Sequence, residues 1–435
     1  MTEVTPFVRT EVLDSQEPPP GEQGAVKWLR ENLFSSPLNT ALTVLGLLVI
    51  TWLMMHSVPW FMHSIWHANS LSQCREIVTE TWGEGATGAC WAMIRDRWHQ
   101  YLYGFYPMDA YWRPNLAFLL MLVALAPVLS QSLPRKLMWF TLLYPFLAYW
   151  LLWGGTVWAP VVVMLGFGLM ALVFRQLVGR LGVPVSAGVG LIVATVWWLV
   201  VQPRLSGTLQ SILPLGIRNV DSDQFGGFLL SIVIGITAIS ASLPMGILLA
   251  LGRKSDMLLI RTLSIGFIEF IRGVPLITLL FTASLLLQYF LPPETNFDII
   301  LRVIILVTFF AAAYLAEVIR GGLAALPRGQ YEAADGLGLD YWQAQRLIVM
   351  PQALKVSIPG IVSTFIGLFK DTTLVAFVGL KDPLKGVTAI VRADMTWKGI
   401  YWEPYIFVGA IFFIICFGMS RYSMLLERRL KTDHR

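Results

Sequence analysis

Four polar side chains stand together in the run FKDTT: Lys370, Asp371, Thr372 and Thr373, inside an otherwise apolar stretch and after the helix-disrupting Pro359-Gly360. An ammonium beside a carboxylate, flanked by two hydroxyls, could meet the two ends of a dipolar solute, Lys370 facing its anionic group and Asp371 its cationic one. The same two charges could equally neutralise each other and fix helix packing, and both readings stand. Ionisable groups inside an apolar span are costly to desolvate, which makes them the first places to look for function. Two more pairs qualify. Glu269 and Arg272 lie three apart on one helical face, where a structural pair is expected. Glu317 and Arg320 close an apolar run and read as gate or interface residues. His63 and His67 have i, i+4 spacing but no third ligand nearby, so no metal site is expected.

The elements that must carry these residues are membrane helices. Of 435 residues, 56% are hydrophobic and only 14% charged, whereas a soluble domain carries about a quarter charged residues. Mean hydropathy is +0.65. A bilayer leaves no water for unpaired backbone groups, so the expected fold is all-α and polytopic. Apolar stretches of suitable length run 41–61, 115–131, 137–155, 158–175, 184–202, 225–251, 273–292, 299–319, 353–379 and 402–425, about ten transmembrane helices. An unbroken helix over 256–292 would reach about 55 Å, longer than a bilayer. Residues 256–272 are therefore expected to lie partly along the membrane surface, with a bend near Pro275.

The net charge of +5 and the pI near 9.1 would suggest nucleic acid in a soluble chain. Here Lys and Arg read as topology signals, and no nucleic-acid partner is expected. With both termini cytoplasmic, the inside loops hold Arg135, Lys136, Arg175, Arg180, Arg253, Lys254, Arg320 and Arg328, and the tail RRLKTDHR is also inside. The outside loop LPPETNFD has no positive charge. One segment opposes this orientation: 381–403, nominally outside, holds Lys381, Lys385, Arg392 and Lys398. Residues 1–25 are polar and Pro-rich, a disordered tail rather than a secretory signal, and 25–34 is either a surface helix or a linker. The outside loop 62–114 contains Cys74 and Cys90, which could form a disulfide or remain two small apolar residues. Its many Trp and Tyr suit an interfacial position.

The polar insertion GQYEAADGLGLDYWQAQRLIVMPQAL at 329–354 reads as two short helices around a Gly-rich turn. Asp340 suits the start of the second helix, and Pro351 marks the start of the next span. Such a segment is either a solvated loop or a knob suited to a groove on another protein. It resembles the EAA loop of ATP-binding-cassette importer permeases, with Glu332-Ala333-Ala334, Gly338, Ile348 and Pro351 at the family's spacing and Met350 where Leu is usual. The runs IEFIRGVPLITLLF (268–281), AYLAEVIRGGLAALPRGQYEAA (313–334) and FKDTTLVAFVGL (369–380) resemble the polar amino-acid uptake group of these permeases. The length of the chain resembles the longer permease of general L-amino-acid or glutamate/glutamine/aspartate/asparagine importers.

The resemblance implies a five-helix type I permease core at 225–430 with its coupling loop at 329–352. Ahead of it would come a tail (1–40), a first span (41–61), the loop 62–114, four further spans (115–202) and a linker (203–224). It implies an inner-membrane permease that is not itself an enzyme and that moves an L-amino acid across the bilayer. Its partners would be a homologous second permease, two ATPase subunits that bind ATP and Mg, and a periplasmic amino-acid-binding protein. The chain itself has no G-x-x-x-x-G-K-[ST] and is expected to bind no cofactor. The alternative is an ion-coupled secondary amino-acid transporter built around Lys370 and Asp371. That reading requires inverted repeats, and the N-terminal half has no counterpart of FKDTT.

Overall fold

The computed structural model describes residues 24–130, 132–290 and 298–431. Most of the tail 1–25, nearly all of the loop LPPETNFD and the end of RRLKTDHR lie outside them. The described residues fall into two compact bodies, one up to Ala92 and one from Met93.

In the first body, α1 spans Gly24–Asn32 and α2 spans Pro37–Met62, capped by the Ser36 side chain, which accepts from Asn39 N–H. Every face of α2 is exposed within its body, as a lipid-facing apolar helix requires. Helix α3, Leu71–Trp82, starts at a second serine cap, Ser70. Cys74 and Cys90 are joined as a disulfide, with 6.1 Å between their Cα atoms. His63 ends α2 and stacks on Trp82, 4.6 Å between centroids. No metal-binding cluster of His, Cys, Asp or Glu occurs among the described residues. The segment expected to be a loop, 62–114, is largely helical, since it also contains α4, Ala92–Tyr103. These helices are polar, so hydropathy alone does not register them.

The second body continues with α5 (Trp112–Leu129), α6 (Met138–Trp153) and α7 (Trp158–Val196). Helix α7 is two antiparallel rods folded at Gly182, with Trp197 and Trp198 Nε1 donating to the carbonyls of Val162 and Val163 at 2.9 and 3.1 Å. Helix α8, Gln202–Ile212, prolongs the second rod, so the expected linker 203–224 begins as helix. Strands β1 (Gly155–Thr156) and β2 (Gly216–Ile217) pair antiparallel across the open end of this hairpin. Then follow α9 (Gly227–Arg253), α10 (Leu258–Gly273), α11 (Leu276–Phe290) and α12 (Ile299–Ala324). The chain ends with α13 (Arg328–Gly336), α14 (Tyr341–Ala344), α15 (Met350–Asp371), α16 (Pro383–Ala393) and α17 (Trp402–Lys431).

Among the described residues, eight helices are long and apolar enough to cross a membrane, or nine if α10 and α11 count as one bent span. Of the ten expected spans, 137–155 is the 16-residue α6 and 273–292 the 15-residue α11, about 24 and 22 Å long. Helices α10 and α11 meet at 101°, and the bend falls at Val274-Pro275. Pro359-Gly360 does not break α15, contrary to expectation. Neighbouring helices can re-satisfy the backbone freed by a membrane Pro, and a Cβ on Gly360 would stand 2.7 Å from Val318 of α12. The same close approach recurs at Gly322, where a Cβ would lie 2.6 Å from the Ala353 carbonyl. Small residues let α12 and α15 touch backbone to backbone, the packing that replaces a hydrophobic driving force in lipid.

The extension and the permease core share one interior. Tyr106, Ala117, Leu151 and Leu152 cluster with Phe225, Leu230, Ile234, Ile300 and Val303. Trp153 stacks on Phe225 at 4.5 Å, and buried Arg113 donates to the Arg218 carbonyl at 2.6 Å.

Asp382 is fully buried and caps α16, accepting from the N–H groups of Leu384 (2.9 Å) and Lys385 (3.1 Å). Burial pushes its carboxyl up to about 6, against those N–H groups and Lys385, which favour the charged form. A carboxyl raised on folding disfavours the native state increasingly as pH rises from the unfolded value, near 4, to the folded one. Asp382→Asn keeps one accepting oxygen for the cap and removes the charge, and the cap bond it loses is the same at every pH. Its thermal midpoint in detergent is expected to gain on the native protein's as pH is raised from about 4 to about 6; a constant difference across that window would show that burial does not act on this carboxyl.

Candidate functional site

The polar insertion folds as a helical hairpin. Helix α13 ends at Gly336, and Gly338 turns the chain with φ +70°. Asp340 then starts α14 with a reciprocal cap: it accepts from Gln343 N–H at 2.8 Å, and its own N–H donates to Gln343 Oε1 at 3.1 Å. A wide π turn at Gln345–Val349 leads into α15. Pro351 stands in the first turn of α15, as expected from sequence, although the helical rod runs on without a break from Tyr341. A proline inside a helix lacks one N–H and crowds the carbonyl four residues back, here Leu347; the wide turn around it absorbs that misfit.

The motif residues divide between two faces. Ala334 and Val349 are buried, and Tyr331, Val349 and Met350 pack with Ala250, Ile268, Leu315, Ile319 and Leu323 of α9, α10 and α12. Gln352 Nε2 donates to Gln330 Oε1 at 2.9 Å, tying α13 to α15. Glu332, Ala333, Gly338 and Pro351 are exposed, and Ile348 is half-buried. Beside them lie Leu337, Tyr341, Trp342 and Leu347, with Leu337 73% exposed and Trp342 60%. Sequence reasoning misses these four, because an apolar residue in a short polar helix carries no sign of which way it faces.

Above the hairpin, one carboxylate gathers three guanidiniums. Glu317 of α12 lies 3.2 Å from Arg253 at the end of α9 and 3.8 Å from Arg272 near the end of α10, and it accepts from Arg320 Nε at 2.7 Å. Arg253 also meets Glu269, at 2.9 Å. Glu317 and Arg320, read from sequence only as gate or interface residues, pair with each other, whereas Glu269 and Arg272, expected to pair, do not. Each reaches a different helix, because tertiary packing brings a better-placed partner than the one three residues away. Arg253, a topology signal by sequence, is thus also a member of this cluster. Arg272 also lies over the Tyr314 ring, 5.5 Å from its centroid.

Lys370 and Asp371 sit at the last turn of α15, where the helix tightens into a 3-10 turn over Thr372–Val378. Lys370 is exposed and Asp371 half-buried. The Thr372 hydroxyl donates to the Phe369 carbonyl at 2.7 Å and the Thr373 hydroxyl to the Lys370 carbonyl at 2.9 Å. The four residues are thus far along the α15 rod from the hairpin and the charge cluster.

Residues 242–432 match the family of binding-protein-dependent transport system inner membrane components. The chain is 69% identical over 431 residues to the glutamate/glutamine/aspartate/asparagine transport system permease protein BztC of Rhodobacter capsulatus, covering 99% of each chain. It is 38% identical to the inner membrane amino-acid ABC transporter permease protein YhdY of Escherichia coli, over 97% of this chain and 98% of that one. The shorter glutamate/aspartate import permease protein GltK of Escherichia coli is 30% identical over 47% of this chain and 91% of its own length. The ion-coupled alternative finds no support among these relatives. An all-α membrane chain, with this EAA-loop spacing and end-to-end similarity to two amino-acid permeases, belongs to the family of amino-acid ABC importer permeases.

Proposed function

We propose that this chain imports acidic amino acids and their amides, the substrates for which BztC is named, by coupling its α13–α14 hairpin to a separate ATPase on the cytoplasmic side. The observation that carries the reading is the two-faced hairpin: Glu332, Ala333, Leu337 and Trp342 point outward while Tyr331, Ala334 and Val349 are fixed inside the fold. A groove on an ATPase could grip the outer face, and the inner face would pass its movement to α9, α10, α12 and the α15 rod.

Charge supports this orientation. Arg253, Lys254, Arg320, Arg328 and Arg346 all lie at the hairpin end, as cytoplasmic loops require. Two of the four cations that opposed it from 381–403 are engaged within the fold: Lys381 Nζ stands 4.1 Å from the Phe105 ring centre, and Lys385 Nζ donates to the Ala376 carbonyl at 2.9 Å.

The complete importer would pair this permease with a homologous, non-identical one and add two ATPase subunits and a periplasmic binding protein. ATP and Mg bind the ATPase; its closure draws the hairpins together and opens the pathway outward, and hydrolysis resets it. The Glu317 cluster would keep the ends of α9, α10 and α12 moving as one. Lys370 and Asp371 are the candidate contacts for substrate carboxylate and ammonium. An exposed charge on a spanning helix needs polar cover, from the second permease or from a wet pathway between the two.

Purification of the tagged chain in mild detergent from its native membrane is expected to bring down an ATPase, a second permease and a binding protein. A chain that comes alone and moves amino acid under an ion gradient overturns the proposal. Glu332→Lys is expected to cut uptake by about tenfold or more, since like or mismatched charge at a docked interface costs several kcal/mol, with membrane insertion unchanged; full uptake would count against docking there. Glu317→Gln leaves three guanidiniums without their shared anion. It is expected to cost about 1–2 kcal/mol of stability in detergent, less than a fully buried pair would because the cluster is partly solvated; an unchanged melting profile would show that the arginines do not depend on it.

A further inference from the structure

We propose that the amino-terminal extension works through α4 as a strut, holding the segment 381–397 at the far end of the α15 rod and so setting how the permease responds to its loaded binding protein. The inference rests on the ATPase-coupled reading above and assigns a task to helices that lie outside residues 242–432, the part matched by the family.

The rod runs as helix from Tyr341, beside the hairpin, through Asp371 and on to Val378. Movement imposed at the hairpin therefore arrives at the left-handed Gly379 and, beyond it, at α16. That segment is held from the extension side at several points. Arg97 Nη2 of α4 meets Asp394 Oδ2 at 2.5 Å, just past the end of α16. Arg97 Nε lies 3.1 Å from its neighbour Asp96, and Asp96 accepts from Nε1 of the buried Trp397 at 3.3 Å. Next to α4, Gly104 pairs with Phe225, while Gly226 pairs with Lys381 and Gly227 N–H donates to the Lys381 carbonyl at 2.9 Å. Three pieces of backbone from the extension, the start of α9 and the end of the rod thus lie side by side. They lie so close that a Cβ on Gly104 would stand 2.3 Å from Gly226 Cα.

The contact is polar and is built to be charged. Asp394 takes a bond from the Thr396 hydroxyl at 2.6 Å and from Thr396 N–H at 3.0 Å. The Thr396 hydroxyl above all, with that N–H and Arg97, holds its carboxyl below the usual carboxylate range against the opposing effect of burial. Beside the ion pair is an open groove of about 330 Å³, lined by Arg97, Gln100, Phe105, Ile390, Asp394 and Met395. Interdigitated apolar packing resists displacement. A salt bridge at the edge of an open groove can part and re-form as α16 shifts.

The test uses the whole importer in vesicles, with its second permease, ATPase and binding protein, and compares Arg97→Asp, Asp394→Arg and the double swap. Each single variant is expected to assemble and to keep basal ATP hydrolysis within about twofold, while stimulation by loaded binding protein and uptake fall by about fivefold or more. The double swap, which restores an ion pair with its ends exchanged, is expected to recover at least about half of both. Single variants with normal stimulation, or a double swap as impaired as the singles, overturn the strut. If Arg97→Asp does not assemble, Arg97→Gln removes the pair without a like-charge clash and decides the same comparison. A native complex without basal ATP hydrolysis would tell instead against the ATPase-coupled reading itself.

Discussion

The carboxylate of Glu317 is the constraint on which the working end of this molecule depends. It is one anion among Arg253, Arg272 and Arg320, which come from three helices. With Glu269, which also pairs with Arg253, the cluster carries three positive and two negative charges. Each arginine placed there alone would leave a partly desolvated cation at the edge of a bilayer, where its cost is high. Shared, the one carboxylate makes the helix ends interdependent: displacing α9 or α10 alone separates charges, whereas moving them with α12 does not. The apolar cluster of Ala250, Ile268, Leu315 and Val349 makes the same demand sterically. Electrostatics and packing thus both favour movement of this end as a block.

A block of this kind can act on the other end only through a rigid connection, and the small residues form one. Gly322 and Ala353 bring the backbones of α12 and α15 into contact, and Gly360 accepts Val318. Interfaces without long side chains have few rotamers to adjust, so they pass on a displacement rather than absorb it. Substituting a larger side chain at Gly322 would not simply fill space; it would separate two helices whose registry links the hairpin to Lys370 and Asp371.

How much was legible in the sequence depends on how local each cause is. The EAA motif is a matter of spacing within one segment, and a turn at Gly338 with a cap at Asp340 comes from residue type alone. The apolar runs marked the spans because the bilayer is a one-dimensional filter on hydropathy. The chain hid what depends on distant partners. Nothing within 253–272 reveals that Arg253 prefers Glu269 and Glu317 to solvent, since Glu317 lies 64 residues further on. Pro359-Gly360 looked like a break because the neighbour that supports it, α12, is not in the local sequence. The helices within 62–114 escaped because they are polar, and Leu337 and Trp342 because burial sets which side of a short helix is inside.

The sequence places the extension's spans ahead of the core and leaves their role open; in the structure Leu151, Leu152 and Tyr106 share an interior with Leu230, Ile300 and Val303. A helix pair docked only through lipid-like contacts could be lost with little consequence, but this one contributes residues to a core that also includes Leu368 and Val375 from the end of the α15 rod. The rod therefore ends in surroundings that the extension partly builds. Helices α5, α6, α9 and α12 converge there, and the polar contacts of α4 lie beside that region. Helices outside residues 242–432 are thus built into the same core as the part matched by the family, rather than appended to it.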